Sequence, residues 1–205
     1  QRLSGLLILL ASCQTLLVHS APPEVSQQNG FWYATCKMQL HSPPAEGSPT
    51  ITGVVGFKQE CPVSKLKVLV YLKGFSYNDT APKKLHIHQY GDLTDGCTST
   101  GAYYNPRGVD HPNHPGDLGD VIPHNGTVFA KLKSRATLFG KESVIGRAVV
   151  LLAGRDELGV NKASRLDGNA GLRVGCCVIG IAIRLSMFMF LQLKRRLRRK
   201  EIGNF

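Results

Sequence analysis

Histidine and aspartate side chains at metal-ligand spacing are the most chemically informative feature of this sequence. His86 and His88 are separated by one residue, so in an extended strand both imidazoles would lie on the same face and could bind one ion. His111, His114 and Asp117 follow at three-residue steps in a segment rich in proline and glycine, as ligands from a loop would. The spacing therefore predicts two adjacent metal sites, one on a strand and one on a loop.

Short β-strands are the elements predicted to position these residues. Runs rich in β-branched and aromatic residues alternate in polarity, and clusters of Gly, Pro, Asn or Asp separate them. No long helical period interrupts residues 31–182, so this region is predicted to be all-β. Two long connections, about 91–120 and 153–175, have the length of functional loops, and the first carries the histidine cluster. The predicted strands are 51–57, 66–72, 85–88, 126–130, 146–152 and 176–182.

The start of the sequence has the pattern of a secretory signal. Short apolar runs are followed by small residues and then prolines, so residues 1–20 are predicted to be a signal peptide and 21–32 a linker. The alternative, a membrane anchor, needs roughly 20 apolar residues, and these runs are shorter and interrupted. Secretion predicts paired cysteines, and sequons at Asn78 and Asn125 predict glycosylation. Without Cys13 five cysteines remain, so at least one would be free or bonded to another chain.

Positive charge is concentrated near the end of the chain. The formal net charge is +11, and a seven-residue basic strip carries six of those charges, which leaves +5 for the remainder. We predict an amphipathic basic tail over 183–205, which on a secreted protein favours heparan sulfate or other anionic matrix glycans. An anionic membrane surface is the alternative partner, whereas secretion argues against nucleic acid. The basic strip consists of Lys194, Arg195, Arg196, Arg198, Arg199 and Lys200.

The motifs around the histidines resemble the copper/zinc superoxide dismutase family over roughly 33–182. The short zinc loop, the doubled cysteine at 176–177 and the basic tail resemble its secreted, extracellular branch. The resemblance implies an eight-stranded Greek-key β-barrel, which is an immunoglobulin-like sandwich with long zinc and electrostatic loops. It also implies a homo-oligomer, because the family forms dimers or tetramers. The motifs that carry the resemblance are 86–92, 96–99, 104–106, 111–119, 145–147 and 168–171.

Copper in this family is held by four histidines, one of which bridges to zinc, and zinc is completed by two further histidines and an aspartate. The resemblance assigns His86 and His88 to copper. It assigns His111, His114 and Asp117 to zinc.

The resemblance also assigns supporting residues. Asp156 corresponds to the aspartate that orients one histidine on each metal, which fixes tautomer and ring direction. Arg173 corresponds to the arginine that attracts superoxide, although it could instead brace the loop through hydrogen bonds. The implied disulfides are Cys97–Cys176 and Cys36–Cys177, which leaves Cys61 unpaired.

Two copper-ligand positions depart from the family pattern. The bridging histidine corresponds to Tyr103, and the remaining copper histidine corresponds to Leu152. Leucine has no donor atom. Tyrosine coordinates only as phenolate, and this form is unfavourable because the ordinary tyrosine pKa is about 10. Only two imidazoles remain for copper. Copper(II) favours several imidazole ligands in a tetragonal arrangement. His86 and His88 would then be either a partial copper site or core histidines.

Two functions follow from these assignments. The first is a secreted, glycan-bound family member that has an impaired copper site, little or no activity and a structural zinc ion, with water or Tyr103 as the fourth zinc ligand. The alternative is a working extracellular superoxide dismutase, which converts superoxide to oxygen and hydrogen peroxide with copper held by His86, His88 and Tyr103.

Overall fold

A computed structural model of the chain describes residues 30–38, 50–110, 113–154 and 171–182. These residues form two antiparallel sheets, with strand orders β6-β3-β2-β1-β9 and β5-β4-β7-β8. The predicted signal peptide, linker and basic tail lie outside the described residues. The strands are β1 (Trp32–Met38), β2 (Thr52–Gln59), β3 (Leu66–Lys73), β4 (Lys83–His88), β5 (Asp117–Val121), β6 (Thr127–Ser134), β7 (Ala148–Leu152), β8 (Arg173–Val178) and β9 (Gly180–Ile181).

One apolar core lies between the two sheets and results from alternating side chains. In β3, Leu66, Val68, Val70 and Leu72 are buried, while the residues between them are exposed or half-buried. A strand with one covered face shows this period of two. Together with the two antiparallel sheets, it confirms the prediction of an all-β sandwich.

The strand β7 differs because all five of its residues are buried. Val149 and Leu151 join the central core, whereas Val150 and Leu152 belong to a second apolar cluster on the other side of the sheet. A strand covered on both faces reads as a continuous apolar run, which is how 148–152 reads in the sequence.

Two strands were missing from the sequence prediction. The strand β1 pairs with β2 along its whole length, and β5 is the edge strand that pairs with β4. The β5 sequence, Asp-Leu-Gly-Asp-Val, has the composition of a loop, and its pairing includes a β-bulge opposite Leu85 and His86. Tertiary pairing overrides local propensity here.

Two disulfides tie this sandwich together, as the resemblance implies. Cys36–Cys177 joins β1 to β8 and so links the two sheets, and Cys97–Cys176 joins the first long loop to β8. Both fit an oxidising compartment.

The prediction of an unpaired Cys61 is wrong. It is disulfide-bonded, and no cysteine among the described residues is free. The expectation of an unpaired Cys61 followed from the odd count of five cysteines that remain when Cys13 is left out.

Among the strand residues that the structure describes, the outer face of the five-stranded sheet carries six lysines and no acidic residue, and we call it the lysine face. Lys67 lies directly opposite both Lys58 and Lys133 on the neighbouring strands. The Phe31 ring contacts this row, with its centroid 3.5 Å from Nζ of Lys58 and 5.9 Å from Nζ of Lys67. Like charges directly opposite each other repel, so the row concentrates positive charge on this face. The lysines of the face are Lys37, Lys58, Lys67, Lys73, Lys131 and Lys133.

Candidate metal centre

The strand β4 turns its histidines to the side of the sheet opposite the central core. Leu85 and Ile87 join that core, so His86 and His88 share the other face with Lys84. Both imidazoles are buried, with 1% and 4% of their surface exposed. The sequence prediction of two histidines on one strand face is confirmed.

The long loop after β4 covers this face through backbone hydrogen bonds. The N–H of Gln89 donates to the carbonyl of Ala102, and the N–H of Tyr104 donates to that of Ile87, both at 2.9 Å. His88 Nδ1 donates to the Gly101 carbonyl at 3.0 Å, since a carbonyl oxygen can only accept. That bond places the Nδ1 proton toward the loop and leaves Nε2 as the nitrogen that could bind a metal.

Tyr103 lies among the histidines, as its place in the sequence predicts. Its ring centroid is 4.0 Å from that of His86, 4.6 Å from that of His114 and 6.3 Å from that of His88. The side chain is buried. An aromatic ring therefore lies between the strand-borne histidines and the loop-borne one, at the position to which the resemblance assigns the bridging imidazole.

Leu152 lies in apolar surroundings. It packs with Ala148, Val150 and Cys176, and Leu93 covers the cluster. Of the four positions that the resemblance assigns to copper histidines, two therefore carry imidazoles here, one offers a hydrocarbon and one offers a phenol packed beside His86, a donor set that does not fit copper.

Lys84 is a site residue that the sequence analysis missed. It is 2% exposed, and its Nζ lies 2.8 Å from Oδ1 of Asp117 and 3.9 Å from Oδ1 of Asp120. In the strand pairing Lys84 lies opposite Leu152 on one side and Asp120 on the other. The signal that could have revealed it is the alternation Lys84, His86, His88, which places all three side chains on one face.

The segment that carries the zinc-ligand candidates His114 and Asp117 is held against β4 and Tyr104 by a close backbone approach. Gly116 donates its N–H to the Tyr104 carbonyl and accepts the N–H of Ile87, at 3.2 and 2.8 Å. A Cβ at this position would lie 2.7 Å from the Tyr104 oxygen, so only glycine fits.

Part of the predicted zinc site lies outside the described residues, namely His111 and the orienting Asp156. In the part of the chain that the structure covers, no group of three or more His, Cys, Asp or Glu side chains is placed to hold a metal ion. Zinc binding and the role of Asp156 therefore stay predictions.

Arg173 makes loop-bracing contacts. Its Nη1 donates to the carbonyls of Cys97 and Thr98 and to Oγ1 of Thr100, at 2.8, 3.1 and 3.2 Å, and its Nη2 donates to the Gly101 carbonyl at 2.9 Å. These bonds support the bracing role. The attraction of anions by Arg173 stays a prediction.

A second group of charges fastens the far end of the loop. The Arg107 guanidinium lies 2.7 Å from Glu142, and its hydrogen bonds hold the pKa of that carboxyl below its usual range. Tyr104 donates its hydroxyl to the Glu142 carbonyl, and burial raises the pKa of Tyr104. The Arg147 guanidinium lies 3.8 Å from the centre of the Tyr104 ring. The loop is thus attached at both ends independently of a metal.

Comparison with known proteins agrees with the sequence motifs. The family described as copper/zinc superoxide dismutase matches residues 51–179. Extracellular superoxide dismutase [Cu-Zn] of Homo sapiens is 42% identical over 157 residues, and that of Rattus norvegicus is 44% identical over 152 residues; these matches cover 75% and 72% of this chain. The chain spans only 65% and 62% of those two relatives. Superoxide dismutase [Cu-Zn] of Schizosaccharomyces pombe is 42% identical over 149 residues, which are 67% of this chain and 94% of that protein.

Proposed function

The chain belongs to the copper/zinc superoxide dismutase family, and from that premise we propose that it is a secreted, glycan-binding member with an impaired copper site and little or no dismutase activity. One observation carries the proposal: Leu152, at a copper-ligand position, packs into an apolar cluster opposite a buried lysine. Family chemistry depends on copper, and a metal with only two imidazoles lacks the donor set that copper favours.

Tyr103 supports the same conclusion. A phenol binds metal through a single oxygen, whereas an imidazolate binds two metals through its two nitrogens. The Tyr103 ring packs beside the His86 ring at a tilt of 33°. The phenol therefore lacks the second donor atom through which the imidazolate joins two metals in this family.

Measurements on the purified full chain test the proposed loss of activity. We expect copper content well below one ion per chain after dialysis against copper. We expect dismutase activity at least about a hundredfold below that of a family enzyme with all four copper histidines, which is about 2.7 kcal/mol in activation free energy. One copper per chain together with activity equal to that reference would instead support the working extracellular dismutase.

The route through the secretory pathway is supported by the surface position of both sequons. Asn78 and Asn125 are exposed, and Asn125 lies in a tight turn before Gly126. Glycosylation needs such surface positions. The described residues contain no helix long and apolar enough to cross a membrane.

The glycan partner is supported by the lysine face as well as by the predicted basic tail. A row of directly opposed lysines attracts an anionic polymer, and binding gains when the polymer releases its own counterions. The half-buried Phe31 ring lies beneath Lys58 and adds an apolar surface next to that row. We therefore propose that sulfated glycans bind through both the tail and the lysine face.

Retention on heparin at increasing salt measures the two contributions. Deleting residues 194–200 should weaken binding and reduce its salt dependence by about one unit of log–log slope per lost contact. Adding three substitutions on the lysine face to this deletion should remove most of the remaining retention, namely Lys58→Gln, Lys67→Gln and Lys133→Gln. The control adds Lys83→Gln and Lys141→Gln, which lie outside the face, and should leave the remaining retention unchanged. Retention unchanged by both sets would contradict the proposal, and capture by anionic vesicles but not heparin would indicate a membrane surface.

A further inference from the structure

We infer that the Lys84 ammonium is a built-in replacement for a metal cation at Asp117, so that zinc must displace Lys84 in order to bind there. The inference uses the family assignment of Asp117 as a zinc ligand. It does not depend on whether copper or dismutase activity is absent.

The position of Lys84 is set by the strand pairing. Lys84 precedes His86 and His88 by two and four residues, so it projects into the same layer between the sheet and the long loop. The bulge in β5 shifts the register so that Asp117 lies opposite His86 and Asp120 lies opposite Lys84. Both carboxylates therefore reach the ammonium.

Burial makes the ion pair obligatory. The Lys84 side chain is 3% exposed, that of Asp117 is 12% exposed, and the apolar Leu152 lies opposite Lys84 on the neighbouring strand. A buried charge without a partner is strongly destabilising, so each of the two ions holds the other in place. The more distant Asp120 is 32% exposed and adds a weaker attraction.

The same oxygen of Asp117 is engaged twice. Oδ1 accepts from Nζ of Lys84 at 2.8 Å and from the N–H of Gly119 at 2.9 Å. A zinc ion at this carboxylate would have to break the ion pair, because binding beside the buried ammonium would place two positive charges next to each other. The Lys84–Asp117 ion pair therefore opposes zinc binding. It also attaches Asp117, at the end of the long loop, to β4, as a zinc ion would otherwise do.

Zinc binding and thermal unfolding of the metal-stripped full chain test the inference. For Lys84→Met we expect zinc affinity, measured by competition with a chromophoric chelator, to rise at least tenfold over the parent. We also expect the unfolding midpoint without metal to fall by roughly 5 to 15 °C, because Asp117 loses its buried partner.

Lys83→Met is the matched control. Lys83 is the adjacent residue in β4, and its ion pair with Asp79 at 3.2 Å joins two more exposed side chains. This variant should change neither the zinc affinity nor, beyond about 2 °C, the midpoint. If Lys84→Met leaves zinc affinity as unchanged as Lys83→Met does, the inference is wrong, whatever happens to the midpoint.

A charge-free variant decides the matter if Lys84→Met does not fold. Lys84→Met combined with Asp117→Asn removes both charges, so we expect it to fold and to regain most of the lost midpoint without gaining zinc affinity. If this double variant fails to fold, the stability lost in Lys84→Met does not come from an uncompensated charge at Asp117. That result would overturn the inference. Copper content and dismutase activity play no part in these readouts, so the proposed function and this inference can fail separately.

Discussion

The variant with Tyr103→His and Leu152→His is expected to bind Cu(II) at least about a hundredfold more tightly than the parent chain, which is about 2.7 kcal/mol. The two substitutions restore the missing imidazoles beside His86 and His88, where four such donors suit copper. Equilibrium competition with a copper chelator measures the gain, and a superoxide assay then shows whether activity follows. Adding Lys84→Met should raise the affinity further, because Lys84 lies opposite position 152 and repels a cation.

The control for this variant removes the same side chains without adding donors. Tyr103→Phe with Leu152→Ala opens similar space and should leave copper affinity within about threefold of the parent, or 0.7 kcal/mol. A folded histidine variant that binds copper no better than this control would contradict our account of the defect.

Removing the Cys36–Cys177 disulfide should lower the free energy of unfolding by about 3 to 5 kcal/mol. The bridge joins positions 141 residues apart and connects strands of different sheets, so its loss greatly increases the freedom of the unfolded chain. Cys36→Ala with Cys177→Ala, unfolded in urea beside the parent, measures the change.

Chemical reduction separates the crosslink from the alanine side chains. The reduced parent keeps every side chain but loses its bridges, so it should be destabilised at least as much as the double-alanine variant. A reduced parent as stable as the oxidised one would show that the alanine variant lost packing rather than a crosslink. A double-alanine variant within 1 kcal/mol of the parent would contradict the prediction itself.

Residue alternation made much of this fold predictable. The strand β3 and the paired faces of His86 and His88 follow directly from a period of two along the chain. The edge strand β5 did not follow, because its acidic, glycine-containing sequence becomes a strand only through pairing with β4.

The ion pair of Lys84 could not be predicted from the sequence, for a different reason. Its side-chain direction could be predicted from that of His86, but its partner Asp117 is 33 residues away and reaches it through a bulge. A buried lysine is unexpected on composition alone, because lysine is almost never fully buried unless it is paired. The ion pair therefore needed the three-dimensional register.

The lysine face also fixes how the molecule would be oriented on a matrix. It covers the outer surface of the five-stranded sheet, whereas His86 and His88, which we call the histidine layer, lie on the side of the other sheet that faces away from the central core. A molecule held by its lysines would point the histidine layer away from the polymer, toward the surrounding fluid. Two copies could not stack through their lysine faces without an anion between them, because the repulsion acts over about 8 Å at physiological salt. The polymer, rather than direct protein contact, would then set the spacing of neighbouring molecules on that side.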